Sequence, residues 1–185
     1  MKPREVLQSL IEGNQRYVHD RLEHPNRSLF RREEIKHQQN PLAIIVGCSD
    51  SRVAPEIIFD QGLGDLFTIR VAGNVIGPIE RDSIDFAVRY LGASLVLVLG
   101  HESCGAVTAV FNGDIKDIEE IAALMQPSLA QAKDIQSAVN ANVHAMVRYL
   151  RSTPFLKQQM AEEKIEIIGA CYHLGKGNVE IFLYQ

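Results

Sequence analysis

The chain has no tryptophan, only three cysteines in 185 residues, and just 6% aromatic residues. So few thiols, and an odd number of them, argue against a disulfide framework and leave a metal site, a reactive thiol or plain packing as their use. Long hydrophobic runs are also missing. The longest, residues 42–46 and 95–99, fall far short of the roughly 20 apolar residues that a membrane span needs. At the N-terminus MKPREVLQSLIEGNQRYVHD is amphipathic and charged, without the unbroken apolar segment of a signal peptide. The expected address is therefore the cytoplasm, where thiols stay reduced. Nor is there an excess of positive charge: the formal net charge of -4 gives no electrostatic footprint for nucleic acid. What remains is ordinary for a soluble globular protein. Hydrophobic residues make up 46% and charged ones 23%, which excludes collagen, coiled coil and wholesale disorder. This length predicts one compact domain.

In residues 4–18 Val6, Leu7, Leu10, Ile11, Tyr17 and Val18 recur at helical spacing, with Glu5, Gln8, Glu12 and Arg16 elsewhere on the surface. That amphipathic helix has either its own domain or a partner chain to pack on. Residues 20–40 are polar, with Pro25 and Pro41 as punctuation and Ser28 suited to cap a short helix through Lys36. From Pro41 the texture changes. Residues 42–47, 66–71, 94–100 and 165–170 are short apolar runs of the kind that form parallel strands buried on both faces. Residues 179–183 follow the turn-forming 175–178 and read as an antiparallel edge strand. Helical spacing fits 79–91, 106–111, 118–125, 135–150 and 154–164. The expected fold class is therefore α/β: a mostly parallel central sheet with an antiparallel edge strand, flanked by helices, behind an N-terminal helical arm.

Cys48 follows the first strand in Cys48-Ser49-Asp50-Ser51-Arg52, and His101 and Cys104 follow the third in His101-Glu102-Ser103-Cys104-Gly105. In open α/β sheets the carboxyl ends of strands form the ligand crevice. If the two strands are neighbours, two thiols and one imidazole meet there, the donor set of a Cys₂His catalytic zinc site with a fourth position open. Taken singly, H-x-x-C and a cysteine after a strand are weak signals, since a buried cysteine is usually a small hydrophobe. Together at two strand ends they point to metal. A thiol-redox role is weaker, because there is no C-x-x-C pair. Asp50 and Arg52 flank Ser51 and share one side of an extended turn. They form either a structural ion pair stiffening that turn or a held carboxylate beside the metal. Cys171, with no ligand partner nearby, reads as a packing thiol.

These two motifs, together with Arg70-Val71-Ala72-Gly73-Asn74 after the second strand, resemble the β-class carbonic anhydrases, and the resemblance runs from about Pro3 through the last strand. It implies a zinc enzyme interconverting carbon dioxide and bicarbonate, with one zinc per chain on Cys48, His101 and Cys104, and Asp50 with Arg52 as the catalytic dyad. The family divides by what fills the fourth zinc position. In one group it is water; in the other the dyad aspartate becomes the fourth ligand in an inactive state that bicarbonate can hold. The second group carries a tryptophan three residues before the first cysteine; here that residue is Ile45. The water-ligated group has a glutamine nine residues before it, and this chain has Gln39. The resemblance therefore implies an open site with Asp50 bound to Arg52, and substrate contacts from Gln39, Phe67, Ala72, Phe86 and Gly105. It also implies a homodimer or tetramer in which an arm of residues 1–40 packs on the partner and residues 41–185 form the zinc-binding domain. Two other readings share these residues: hydrolysis of carbonyl sulfide or carbon disulfide on the same scaffold, and a zinc-binding module without turnover.

Overall fold

The structure, a computed structural model, describes residues 1–182; the expected strand end at Leu183 lies outside the described residues. Five strands form a single sheet: β1 (Ala43–Gly47), β2 (Leu66–Arg70), β3 (Leu95–His101), β4 (Glu166–Tyr172) and β5 (Val179–Phe182). Their order is β2-β1-β3-β4-β5, and only the β4–β5 pairing is antiparallel. The apolar runs explain the order. Every residue of β1 and β3 is buried, as the centre of a sheet covered on both faces requires, whereas β2 and β5 are partly exposed at the edges.

Among the described residues eight α-helices surround the sheet: α1 (Pro3–Val18), α2 (Leu29–Ile35), α3 (Pro55–Ile58), α4 (Pro78–Leu91), α5 (Gly105–Asn112), α6 (Glu119–Leu129), α7 (Ile135–Ser152) and α8 (Pro154–Ala161). Alternation along the strands divides the core in two. Ile44, Val46, Val96, Val98 and Ile167 face α4 to α8, with Ile84, Val107, Met125 and Val143 among the helical contributions. Ala43, Ile45, Leu95, Leu97 and Leu99 face α1 and α3.

Local chemistry sets the helix ends. Ser28 caps α2 by accepting the Arg31 N–H at 3.1 Å, as its position in the sequence predicts. Asp134 caps α7 in the same way, accepting the Ser137 N–H at 2.7 Å. Gly77 donates its N–H to Glu80 at the start of α4, where Pro78 takes the first helical position. The expected helix over 154–164 stops at Ala161, and the chain turns away with Glu163 in the left-handed region. The helix expected to end at Met125 runs on to Leu129, past Pro127.

Within the single chain α1 packs on its own sheet. Val6 and Leu10 are buried against the sheet. Asn14 ties the helix on: its Nδ2 donates to the carbonyls of Ile58 and Gly177, and its Oδ1 accepts the Val179 N–H at 2.9 Å. Asp60, its side chain fully buried, accepts from Arg16 Nε at 2.7 Å and from the N–H groups of Glu23 and His24. Asp65 accepts from Asn26, Arg31 and the Gly62 N–H. Within the N-terminal region α2 has no buried residue and leaves Leu29 and Phe30 exposed, and it is held to the domain through Arg31, whose Nε donates to the Leu63 carbonyl at 3.0 Å.

Candidate active site

β1 and β3 are neighbours, and the register that sets Gly47 opposite Leu99 brings Cys48 and His101 to the same end of the sheet. β1 also pairs with β2 on its other side, so this is where the order of strands reverses and an open sheet forms its crevice. Cys104 completes the group from the N-cap of α5, after a turn in which Ser103 takes a left-handed conformation. The ligand atoms of Cys48, His101 and Cys104 lie within 4.8 Å of one another, and all three residues are buried. The sulfurs are 3.9 Å apart. Two sulfurs at ordinary zinc distances on a tetrahedral ion sit about 3.8 Å apart.

The imidazole supports the same reading. His101 Nδ1 lies 2.9 Å from the Glu102 carbonyl, which can only accept, so Nδ1 carries the proton and Nε2 faces the thiols with a lone pair. Nε2 is buried and has no hydrogen-bond partner among the described residues. A buried polar atom without a partner is expensive, and a metal ion is the partner this donor set suits. The residues fit zinc.

The two thiols are unequal. The neighbouring Cys104 thiol, with lesser help from His101 and the N–H groups of Gly73 and Asp50, pulls the Cys48 pKa down against the effect of burial. Cys104 is pushed up by its hydrogen bond to Cys48 and by burial. Gly73 N–H approaches Cys48 Sγ at 3.3 Å and Asp50 N–H at 3.4 Å, so the backbone is already arranged around a negative sulfur.

Asp50 stands beside this group in the grip of Arg52. The Arg52 backbone N–H and Nε both donate to Oδ1 at 2.9 Å, and Nη2 donates to Oδ2 at 2.7 Å. The hydrogen bonds from Arg52 hold the carboxyl far below the usual carboxylate range, against a smaller opposing effect of burial. Asp50 Oδ2 is 3.8 Å from His101 Nε2. Because the Arg52 side chain is half exposed, this is a clamp reaching in from solvent rather than a pair sealed in the core.

Among the remaining expected site residues, Ala72 lies in a 3-10 turn beside Gly73, and Gly105 opens α5 with free space where a side chain would project. Phe67 sits on β2 opposite Ile44, partly buried against the core below the crevice. Gln39 and Phe86 are not brought to the metal group. Gln39 is exposed ahead of β1, at the sheet end opposite Cys48, and Phe86 faces solvent on α4 against Tyr90. Two participants went unassigned at the sequence level. Arg70, at the end of β2, donates through Nε to the Cys48 carbonyl at 3.0 Å and through Nη2 to the Asp50 carbonyl at 2.6 Å. Gly73 holds the sulfur. Their one sequence signal is the run Arg70 to Asn74 at a strand end.

A Cys₂His donor set at the switch point of a parallel sheet, with a guanidinium-held carboxylate beside it, defines the class of zinc enzymes that activate water. The profile of one family, carbonic anhydrase, matches residues 43–179. Carbonic anhydrase 2 of Mycobacterium tuberculosis is 40% identical, over 95% of this chain and 90% of its own. The carbonic anhydrase of Mycolicibacterium smegmatis is 37% identical, over 97% and 93%. The β-carbonic anhydrase CafA of Aspergillus fumigatus superposes with a TM-score of 0.75 at 25% identity, over 95% of this chain and 90% of that one. The chain belongs to the carbonic anhydrase family, in its β class, whose zinc enzymes hydrate carbon dioxide.

Proposed function

We propose that Asp50 and Arg52 are the catalytic dyad of a carbon dioxide hydratase whose zinc is held by Cys48, His101 and Cys104. The observation that carries this reading is the two-pronged Arg52–Asp50 contact beside the three-donor group. Zinc held there supplies Lewis acidity that makes water a nucleophile near neutral pH. Two thiolates cancel the ion's charge, so that acidity is weaker than with three histidines, and activity rises toward mildly alkaline pH. Asp50, anionic and fixed by Arg52, accepts the hydrogen of the attacking oxygen and so aims its lone pair at the carbon. The same acceptor disfavours oxygen ligands that bring no hydrogen. Ala72, Gly105 and Phe67 supply the walls on which an apolar substrate rests. With Asp50 held on Arg52, a metal on the three donors would keep room for water. Asp50 Oδ2 lies 3.8 Å from His101 Nε2, so an Asp50 released from Arg52 could itself serve as a metal ligand, which would shut out water.

The functional unit in this reading is a homodimer or tetramer in the cytoplasm. Leu29, Phe30, Ile79, Phe86 and Tyr90 are large, exposed and apolar, which supports their burial by a second copy. β1 spans about 16 Å at the usual rise per residue, so Gln39, ahead of its far end, reaches a site only in another subunit. The arm of residues 1–40, with Leu29 and Phe30 exposed on α2, engages that neighbour. Three unpaired cysteines agree with a reducing compartment.

Hydrolysis of carbonyl sulfide or carbon disulfide needs the same ligands. Turnover of all three substrates by one zinc-quantified preparation tests the assignment. Carbon dioxide hydration should dominate, and a preference for either sulfur compound would overturn it.

A further inference from the structure

Asn142 is an unexpected residue where it stands. It lies on the inner face of α7 between Val139, Val143 and Met146, all buried, and is itself 1% exposed. Its Nδ2 donates to the Gly73 carbonyl at 2.7 Å, while its Oδ1 is buried with no partner among the described residues. An apolar side chain would avoid the cost of that half-satisfied amide. The benefit must lie in the one bond it makes.

Gly73 has a conformation that needs fixing. Its φ of 70° lies in the left-handed region that glycine adopts without strain, and a Cβ there would come within 2.5 Å of Met125 Cε, which would have to move. Glycine is also the residue least restrained by its own backbone. Yet its N–H is the one that approaches Cys48 Sγ at 3.3 Å. Neighbouring Asn74, also left-handed, is buried with an unpartnered Nδ2, so it gives the turn no side-chain anchor on that side.

We propose that Asn142 is a positioning residue of the metal centre: by gripping the Gly73 carbonyl it holds the Gly73 N–H on the sulfur of Cys48. The inference rests on Cys48 being a metal ligand. Asn142 touches neither metal nor substrate and acts through Gly73 alone. A hydrogen bond to a ligating sulfur stabilises its lone pairs, which tunes the metal–sulfur bond and fixes the direction of the ligand.

The full-length protein loaded with cobalt, and zinc competition against a chelator, test this without reference to activity. In Asn142→Leu, and in Asn142→Ala as a second variant, the thiolate-to-cobalt charge-transfer band should move to longer wavelength. Zinc affinity should fall about tenfold or more. Leu150→Ala, a cavity on the same helix away from Gly73, should lower stability and leave both readouts unchanged. A wild-type band and zinc affinity in a folded Asn142 variant would overturn the proposal. So would equal shifts in Leu150→Ala, or failure of both Asn142 variants to fold, since Asn142 would then serve the fold. Failure of the unsubstituted protein to bind either metal would instead overturn the metal centre itself, and this proposal with it.

Discussion

Arg52 holds Asp50 by both carboxylate oxygens, with Nε on Oδ1 at 2.9 Å and Nη2 on Oδ2 at 2.7 Å. A planar guanidinium fixes the plane of the carboxylate as well as its charge, and an ammonium group does only the second. Arg52→Lys is therefore expected to keep zinc and fold but lose about tenfold or more in kcat/KM for carbon dioxide hydration, read by stopped-flow indicator assay. Full activity in the lysine variant would show that charge alone suffices.

Arg70 joins the two halves of the site through the carbonyls of Cys48 and Asp50. Arg70→Ala should loosen the turn that carries both Cys48 and Asp50. Zinc affinity and hydration rate should fall together, about tenfold each, as for loss of other outer supports of a metal site. The melting temperature of the metal-free protein should change little, because Arg70 is exposed and its bonds reach a single turn, at the Cys48 and Asp50 carbonyls. Chelator competition with calorimetry reads both quantities.

Much of this arrangement was legible in the chain. β1 and β3 announce themselves as unbroken apolar runs because both their faces are covered, and Cys48 and His101 sit where those runs stop. Ser28 and the turn before β5 are local chemistry, readable residue by residue. α3 was missed because four residues carry no period, and the turn over Ala72–Asn74 because a single left-handed glycine decides it. The bonds from Gly73, Arg70 and Asn142 join segments 20 to 69 residues apart, so spacing carries no trace of them. Cys171, expected to be a packing thiol, is fully buried on β4. The resemblance assigned Gln39 and Phe86 to a pocket; in a single chain the fold places one at the far end of the sheet and the other in solvent.

Removal of zinc by a chelator should abolish hydration and lower the melting temperature, with both restored by stoichiometric zinc. The metal-free protein should then expose two thiols to a disulfide reagent, Cys48 and Cys104. Cys171 should stay protected until unfolding. A third fast thiol would place Cys171 outside the core.

Asp60 makes stability depend on pH. Burial raises its pKa, but the bonds from Arg16 and from the Glu23 and His24 N–H groups win, and the net shift is downward. A carboxyl whose folded pKa lies below its unfolded one stabilises fully above the ordinary carboxylate range. That contribution fades as pH falls below about 4. Asp60→Asn, which tolerates the left-handed conformation at this position, should cost about 2 kcal/mol at pH 7 and less at pH 3. Urea midpoints at the two values check the sign; a penalty that grows on acidification would contradict it.

In the proposed reading the carboxylate of Asp50 directs attack on carbon dioxide at a zinc centre. Stopped-flow hydration by Asp50→Asn, with zinc content quantified beside the unsubstituted protein, tests it most directly. Full zinc occupancy, a melting temperature unchanged within a few degrees, and kcat/KM lower by about 100-fold or more are the expected results. Near-full activity in a zinc-loaded Asp50→Asn protein would contradict that reading.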